Sequence, residues 1–251
     1  MIKHGGGWLS HQLRMPMQGI LWLSALPSQK PNQHPPLTAT KGQDKTMRVK
    51  INENITLYHG DCRDIVPDVV FDSVVTDPPY GMSYVSNYRT TKYEPIVNDD
   101  TTDLLRYACD IKAPHSNYVF CRWDNLYDVP KPTSFITWVK NNHSMGDLKH
   151  SHARKTETLL FYSGANHFFP TKRPTDVVNH ARTQNKNHPT EKPIELMEEI
   201  LGWTDGVVLD PFMGSGATAV AAAKLGRKFI GVELNRGFFD IAVRRVREAL
   251  A

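Results

Sequence analysis

Asp210-Pro211-Phe212-Met213-Gly214-Ser215-Gly216 follows the apolar run Gly206-Val207-Val208-Leu209, and Asp77-Pro78-Pro79-Tyr80 follows Ser73-Val74-Val75-Thr76. Short runs rich in β-branched residues, bounded by turn formers, read as strands. Each string therefore sits at the carboxyl end of a strand, where open α/β sheets place their ligand crevices. On either side of the two strings, short apolar runs alternate with helical patterns, the signature of a mostly parallel sheet. Strands are expected at 55–59, 72–76, 117–121, 134–139, 157–162, 206–210 and 228–233. Helices are expected at 191–203, where the proline of Glu191-Lys192-Pro193 fits a first turn, and at 215–225, ending at Gly226. A third is expected at 235–250, where Phe239, Val243, Val246 and Leu250 share one face and Arg244, Arg245, Arg247 and Glu248 lie on others.

With 251 residues, 40% of them hydrophobic, the chain is the size of one α/β domain. Its net charge of +4 resides in residues 1–46, where Lys3, Arg14, Lys30, Lys41 and Lys45 face only Asp44. The body is electrically balanced, so a nucleic-acid face must be a local cluster rather than a global field. The same 46 residues hold Gly5-Gly6-Gly7 and Pro27, Pro31, Pro35 and Pro36 without periodicity, the composition of a disordered or weakly ordered leader. Met47 opens the patterned body and is a candidate for the true start. Cys62, Cys109 and Cys121 form neither a CxxC pair nor a Pro-Cys dipeptide, which argues against a disulfide framework, a zinc site and a cytosine C5 nucleophile, and fits a reducing cytoplasm. The apolar stretch 19–26 is too short to span a bilayer, so no membrane role is expected.

Gly214 and Gly216 stand at a strand-to-helix turn, where missing Cβ atoms let a backbone approach a ligand closely. Glu233 ends the next strand, where such folds place an acidic residue for ribose hydroxyls. The string Asp-Pro-Phe-x-Gly-Ser-Gly-x-Thr, together with Asp77-Pro78-Pro79-Tyr80, resembles the S-adenosylmethionine-dependent DNA amino-methyltransferases, which methylate adenine N6 or cytosine N4. Because the catalytic string comes first, the match is to the permuted β class, over roughly residues 47–251. The resemblance implies a Rossmann-like methyltransferase fold: a mostly parallel seven-stranded sheet, helices on both faces and circularly permuted motif order.

It also implies roles. Asp210, Phe212, Gly214, Gly216 and Thr218 belong to the cofactor loop, and Glu233 and Asn235 lie by the ribose. The string His188-Pro189-Thr190-Glu191-Lys192-Pro193 matches the family's motif before that strand and would bring Thr190 and Lys192 near the methionine carboxylate. A lysine is mildly unfavourable at a helix start, which supports a ligand role. Asp61, in Gly60-Asp61-Cys62, is either a contact to the cofactor adenine or a helix cap.

The chemistry accounts for the catalytic string Asp77, Pro78, Pro79 and Tyr80. An aromatic amine is a poor nucleophile, because its lone pair is delocalised into the ring. Acceptors on both N–H bonds, the Asp77 carboxylate and the Pro78 carbonyl, stabilise developing positive charge. Tyr80 offers a stacking face for a base extruded from the duplex. No metal is required. The Asp form of the string leans toward adenine. Cytosine N4, an RNA base, and an inactive relative that only binds DNA or cofactor are the alternatives.

Trp138-Val139-Lys140 and Thr156 to Tyr162 resemble a stretch lining the target-base pocket. Lys140, Lys172, Arg173 and Arg182 are candidate DNA contacts, and Phe168 and Phe169 interleave with the last three. His143, His150 and His152 read as a solvated loop rather than a zinc site. The family's target-recognition slot is reduced here to a minimal segment near 165–187. Specificity is then short and relaxed, or a homodimer partner or the 81–98 loop contributes; that loop carries Tyr84, Tyr88, Arg89, Lys92 and Tyr93.

Overall fold

The computed structural model describes residues 46–81, 100–143, 149–150, 152–183 and 191–251. The leader up to residue 45, residues 82–99 with the closing-loop aromatics, and Thr190 lie outside the described residues.

Among the described residues nine strands are present, not seven: β1 (Met47–Lys50), β2 (Ile55–His59), β3 (Ser73–Thr76), β4 (Ser116–Cys121), β5 (Ser134–Val139), β6 (Thr156–Ser163), β7 (Val177–Asn179), β8 (Val208–Asp210) and β9 (Phe229–Glu233). The seven expected strands are among them. The additions are the short strands at the two edges, β1 and β7. Three or four residues give too little alternation to be read from sequence. The helices are α1 (Cys62–Ile65), α2 (Asp103–Asp110), α3 (Ile194–Gly202), α4 (Ala217–Lys224) and α5 (Arg236–Leu250), of which the first two were not expected.

The strand order is β1-β2-β9-β8-β3-β4-β6-β5-β7. From β2 to β4 neighbouring strands are parallel; β1 and β6 run antiparallel to theirs. Alternate side chains go to opposite faces, and both faces are covered. Val75, Tyr118, Phe120, Leu159 and Val208 pack under α3, α4 and α5, whereas Val74, Val119, Leu160 and Leu209 meet α1 and α2. Burial on both faces explains why the central strands read as continuous apolar runs. In α4 every residue from Ala217 to Ala223 is buried, and its small side chains admit close packing by α3 and α5.

The chain leaves β3 through α2 for β4 on one side, and leaves β8 through α4 for β9 on the other. Between the adjacent strands β8 and β3 the winding reverses. This is the topological switch point, where the carboxyl ends of strands open a crevice, and both decisive strings emerge there.

Gly216 caps α4 in the left-handed region at φ 86°. A Cβ there would lie 2.8 Å from Ala242 Cβ on α5. At Gly231 in β9 a Cβ would collide with the Met213 sulfur, so the loop lies directly on the sheet. Among the described residues, no helix is long and apolar enough to cross a membrane. Gly216→Ala is expected to cost about 1–3 kcal/mol of stability through backbone strain and this contact. Thermal unfolding would register it as a fall of about 2–4 °C in Tm per kcal/mol.

Candidate active site

On the β8 side, Asp210 is buried and fully engaged. Its carboxylate accepts from Thr76 Oγ1 at 2.7 Å, Thr218 Oγ1 at 2.6 Å and the Phe212 N–H at 3.1 Å. Burial pushes this carboxyl up to about 6 against those three hydrogen bonds. Asp210 and Thr218 thus shape the turn from within, tying β3, β8 and α4 together. Phe212 is half-buried against the α1–α2 side of the sheet.

Glu233, at the end of β9, accepts from the Gly214 N–H at 2.9 Å and the Asn235 N–H at 2.7 Å. Burial pushes its carboxyl up to about 7. Each oxygen holds one backbone donor and can accept another, so the pair suits a vicinal diol. The Asn235 side chain caps α5 by accepting from the Phe238 N–H at 3.0 Å. The Gly60 N–H donates to the Glu233 carbonyl at 3.0 Å, bringing the end of β2 to the same crevice. Asp61 follows as the N-cap of α1, accepting from the Arg63 N–H at 2.9 Å. The Arg63 guanidinium also binds it and holds its carboxyl below the usual range.

On the β3 side, the Asp77 carboxylate accepts from Lys192 Nζ at 2.5 Å and from the Tyr80 hydroxyl. Lys192 precedes α3, is buried, and lies 3.4 Å from Glu157 Oε2 and 4.7 Å from the Phe120 ring centroid. Glu157 is also paired with Lys140, whose ammonium stands 4.9 Å from the Trp138 ring centroid. Two carboxylates and two ammonium groups therefore alternate beneath the Asp77–Tyr80 string. Burial raises Asp77 above the usual carboxylate range, against the pull of Lys192 and Tyr80. For Lys192, burial acts downward, but Asp77 and Glu157 outweigh it and hold the ammonium above its ordinary value. Lys192, expected beside a cofactor carboxylate, is held by a protein carboxylate.

Lys140 is only 8% exposed. Its burial and its bond to Glu157 place this candidate DNA contact in the same charged cluster. Lys172, Arg173 and Arg182 are exposed. The 165–187 segment contains β7, and Phe169 stacks on Phe161 of the core, so it is not an open basic loop throughout. Arg245, expected off the apolar face of α5, is bound by two other segments. It donates to the Ser215 carbonyl at 2.7 Å and to Glu191 Oε1 at 2.6 Å, joining α5, the glycine loop and the residue before Lys192.

Sequence reasoning also missed Glu157 and Asn125. Strand parity could have found Glu157, since it shares its face with Leu159 and Phe161 and is a charge at an inward position. Asn125, whose Nδ2 donates to the Tyr80 carbonyl at 2.7 Å, gave no pattern at all.

The family profile described as DNA methylase of N6/N4 type matches residues 167–244. The type II methyltransferase M2.DpnII of Streptococcus pneumoniae is 33% identical over 220 residues, covering 70% of this chain and 82% of that protein. The crystal structure of the M1.HpyAVI–SAM complex superposes with a TM-score of 0.55 at 27% identity, covering 76% of this chain and 99% of that one. The cytosine-N4-specific PvuII DNA methyltransferase shares the fold, with a TM-score of 0.58 at 16% identity over 77% of this chain and 86% of that one. With its two motif strings meeting at the switch point, the chain belongs to the N6/N4 family of DNA methylases, whose methyl donor is S-adenosylmethionine.

Proposed function

We infer that this protein methylates the exocyclic amine of an extruded DNA base, adenine N6 in preference to cytosine N4. The observation that carries the inference is the adjacency of the two strings, joined by the 2.7 Å bond from Thr76 to Asp210. That contact puts an amine-accepting carboxylate beside a loop suited to a nucleoside-type methyl donor. The Asp77 form of the string supports adenine.

When bound, S-adenosylmethionine supplies an electrophilic methyl group on a sulfonium. In this reading Glu233 receives the ribose hydroxyls, while Gly214 and Gly216 keep the loop open to close approach. Asp61, Phe212 and Asn235 border the same crevice. Asp77 and the Pro78 carbonyl accept the two N–H bonds of the target amine, and Pro79 stiffens the turn. As the N–C bond forms and the S–C bond breaks, releasing the thioether S-adenosylhomocysteine, positive charge grows on nitrogen and the Asp77 carboxylate stabilises it. The surplus amine proton then passes through Asp77 to solvent. Lys192 holds Asp77 in place and favours its ionised form. Tyr80 packs against the base. A short target-recognition segment near 165–187 presents Lys172, Arg173 and Arg182 to phosphates.

Asp77→Ala is expected to lower transfer by about 100-fold or more while calorimetry shows cofactor binding largely retained. Nucleoside mass spectrometry of DNA from a methylation-free host reads the product. Methyladenine dependent on Asp77 is the expected result, and N4-methylcytosine would keep the mechanism but reverse the base. Transfer that survived Asp77→Ala would remove Asp77 from the chemistry.

Glu233 adds a pH dependence. Its carboxyl is pushed up to about 7 and accepts hydroxyls best when ionised. Cofactor affinity should therefore be full above that pH and fall as pH drops through it. Glu233→Gln should bind more weakly and show no such limb in calorimetry across pH.

A further inference from the structure

Immediately after β4 the chain makes a 3-10 turn at Trp123–Asn125. Since β3 and β4 are parallel neighbours, this turn leaves the sheet at the same edge as Asp77. It is fastened to the catalytic string by the 2.7 Å bond from Asn125 Nδ2 to the Tyr80 carbonyl, and Asn125 itself is buried. Two residues away, Trp123 is 60% exposed, whereas Trp138 and Trp203 are 3% and 6% exposed. Its ring is not bare: the Arg154 guanidinium lies 5.8 Å from its centroid. Arg154 and Lys155 are exposed on the strand-to-loop approach to β6, beside the same edge. On the turn itself, Arg122 and Asp124 pair with each other, so their charges largely cancel.

A large aromatic surface held open by a buried anchor, with a cation on its face, is poorly explained by folding. Trp123 contributes little to the core, and the Asn125 bond fixes its turn to the residue on which a base would stack. We propose that Trp123 is a stacking platform for a DNA base left unstacked beside the extruded target, with Arg154 contacting the adjoining phosphate. Aromatic faces take any base, and cations on phosphates carry no sequence information. The pair therefore supports extrusion without setting the recognition sequence. This assignment rests on the DNA-amine reading of the neighbouring site.

The test compares Trp123→Ala, Trp123→Phe and Arg154→Gln with wild type, using a duplex the wild-type enzyme methylates. Phe135→Ala is the matched control. That ring is 52% exposed near the start of β5, away from the turn after β4. Trp123→Ala should raise the KM for DNA by about 5- to 100-fold, the range of one base–aromatic stack. S-adenosylmethionine binding should be unchanged, and Trp123→Phe should keep most of the affinity. DNA should quench a component of the wild-type tryptophan fluorescence that Trp123→Phe lacks. Arg154→Gln should reduce the salt dependence of DNA binding by about one phosphate contact.

A KM for DNA within twofold of wild type in Trp123→Ala, or quenching undiminished in Trp123→Phe, would overturn the platform and leave the catalytic reading intact. A wild-type protein that neither binds nor methylates DNA would overturn both.

Discussion

The Lys192 ammonium, buried between Asp77 and Glu157, is the constraint on which the site depends. Removing an ammonium from water costs several kcal/mol, recovered only when counter-charges are held close and well oriented. The partners come from three places in the chain: Asp77 after β3, Glu157 within β6, and Lys192 at the entrance to α3. Losing either carboxylate leaves buried charge poorly compensated, so these elements are held in mutual register. Lys140 adds the second ammonium, so two ammonium groups face two carboxylates. The same arrangement that satisfies the buried lysine delivers an ionisable carboxylate to the mouth of the crevice, with Tyr80 bonded to it.

The two halves are coupled by short polar contacts across this frame. Thr76, last in β3, donates to Asp210, last in β8, so the Asp-Pro-Pro-Tyr and glycine-loop strings diverge from bonded neighbours. Glu191 and Lys192 are adjacent in sequence yet serve different halves. Glu191 binds Arg245, which holds the glycine loop through Ser215, while Lys192 binds Asp77. A displacement of this entrance to α3 would disturb both strings together.

The architecture was legible because its main signals are local. Central strands buried on both faces read as apolar runs, and the glycine loop and the Asp-Pro-Pro-Tyr string are contiguous. The edge strands β1 and β7 were lost because so few residues hardly alternate. The helix α1 was lost because one turn has no periodicity. The partners of Lys140 and Arg245 were not legible for a different reason. Charge suggests a solvated side chain, and only tertiary neighbours reveal a partner: Glu157 across the sheet, and Ser215 and Glu191 from other segments. Parity along β6 would have exposed Glu157, but no sequence rule pairs it with Lys192. For Asp61 the helix-cap alternative is the one realised in the contacts, and its relation to the cofactor adenine rests on its place at the crevice.

The most direct test of this account is a carbon-13 NMR titration of the Asp77 carboxyl, assigned with Asp77→Asn, in wild-type protein and in Lys192→Met. Burial should place the wild-type midpoint above the ordinary aspartate value of about 3.9. Removing the ammonium withdraws the group that favours the ionised carboxylate, so the midpoint in Lys192→Met should climb further. A wild-type midpoint at or below about 3.9, or a midpoint unmoved by loss of Lys192, would contradict the claim that this buried ion pair controls the Asp77 carboxylate.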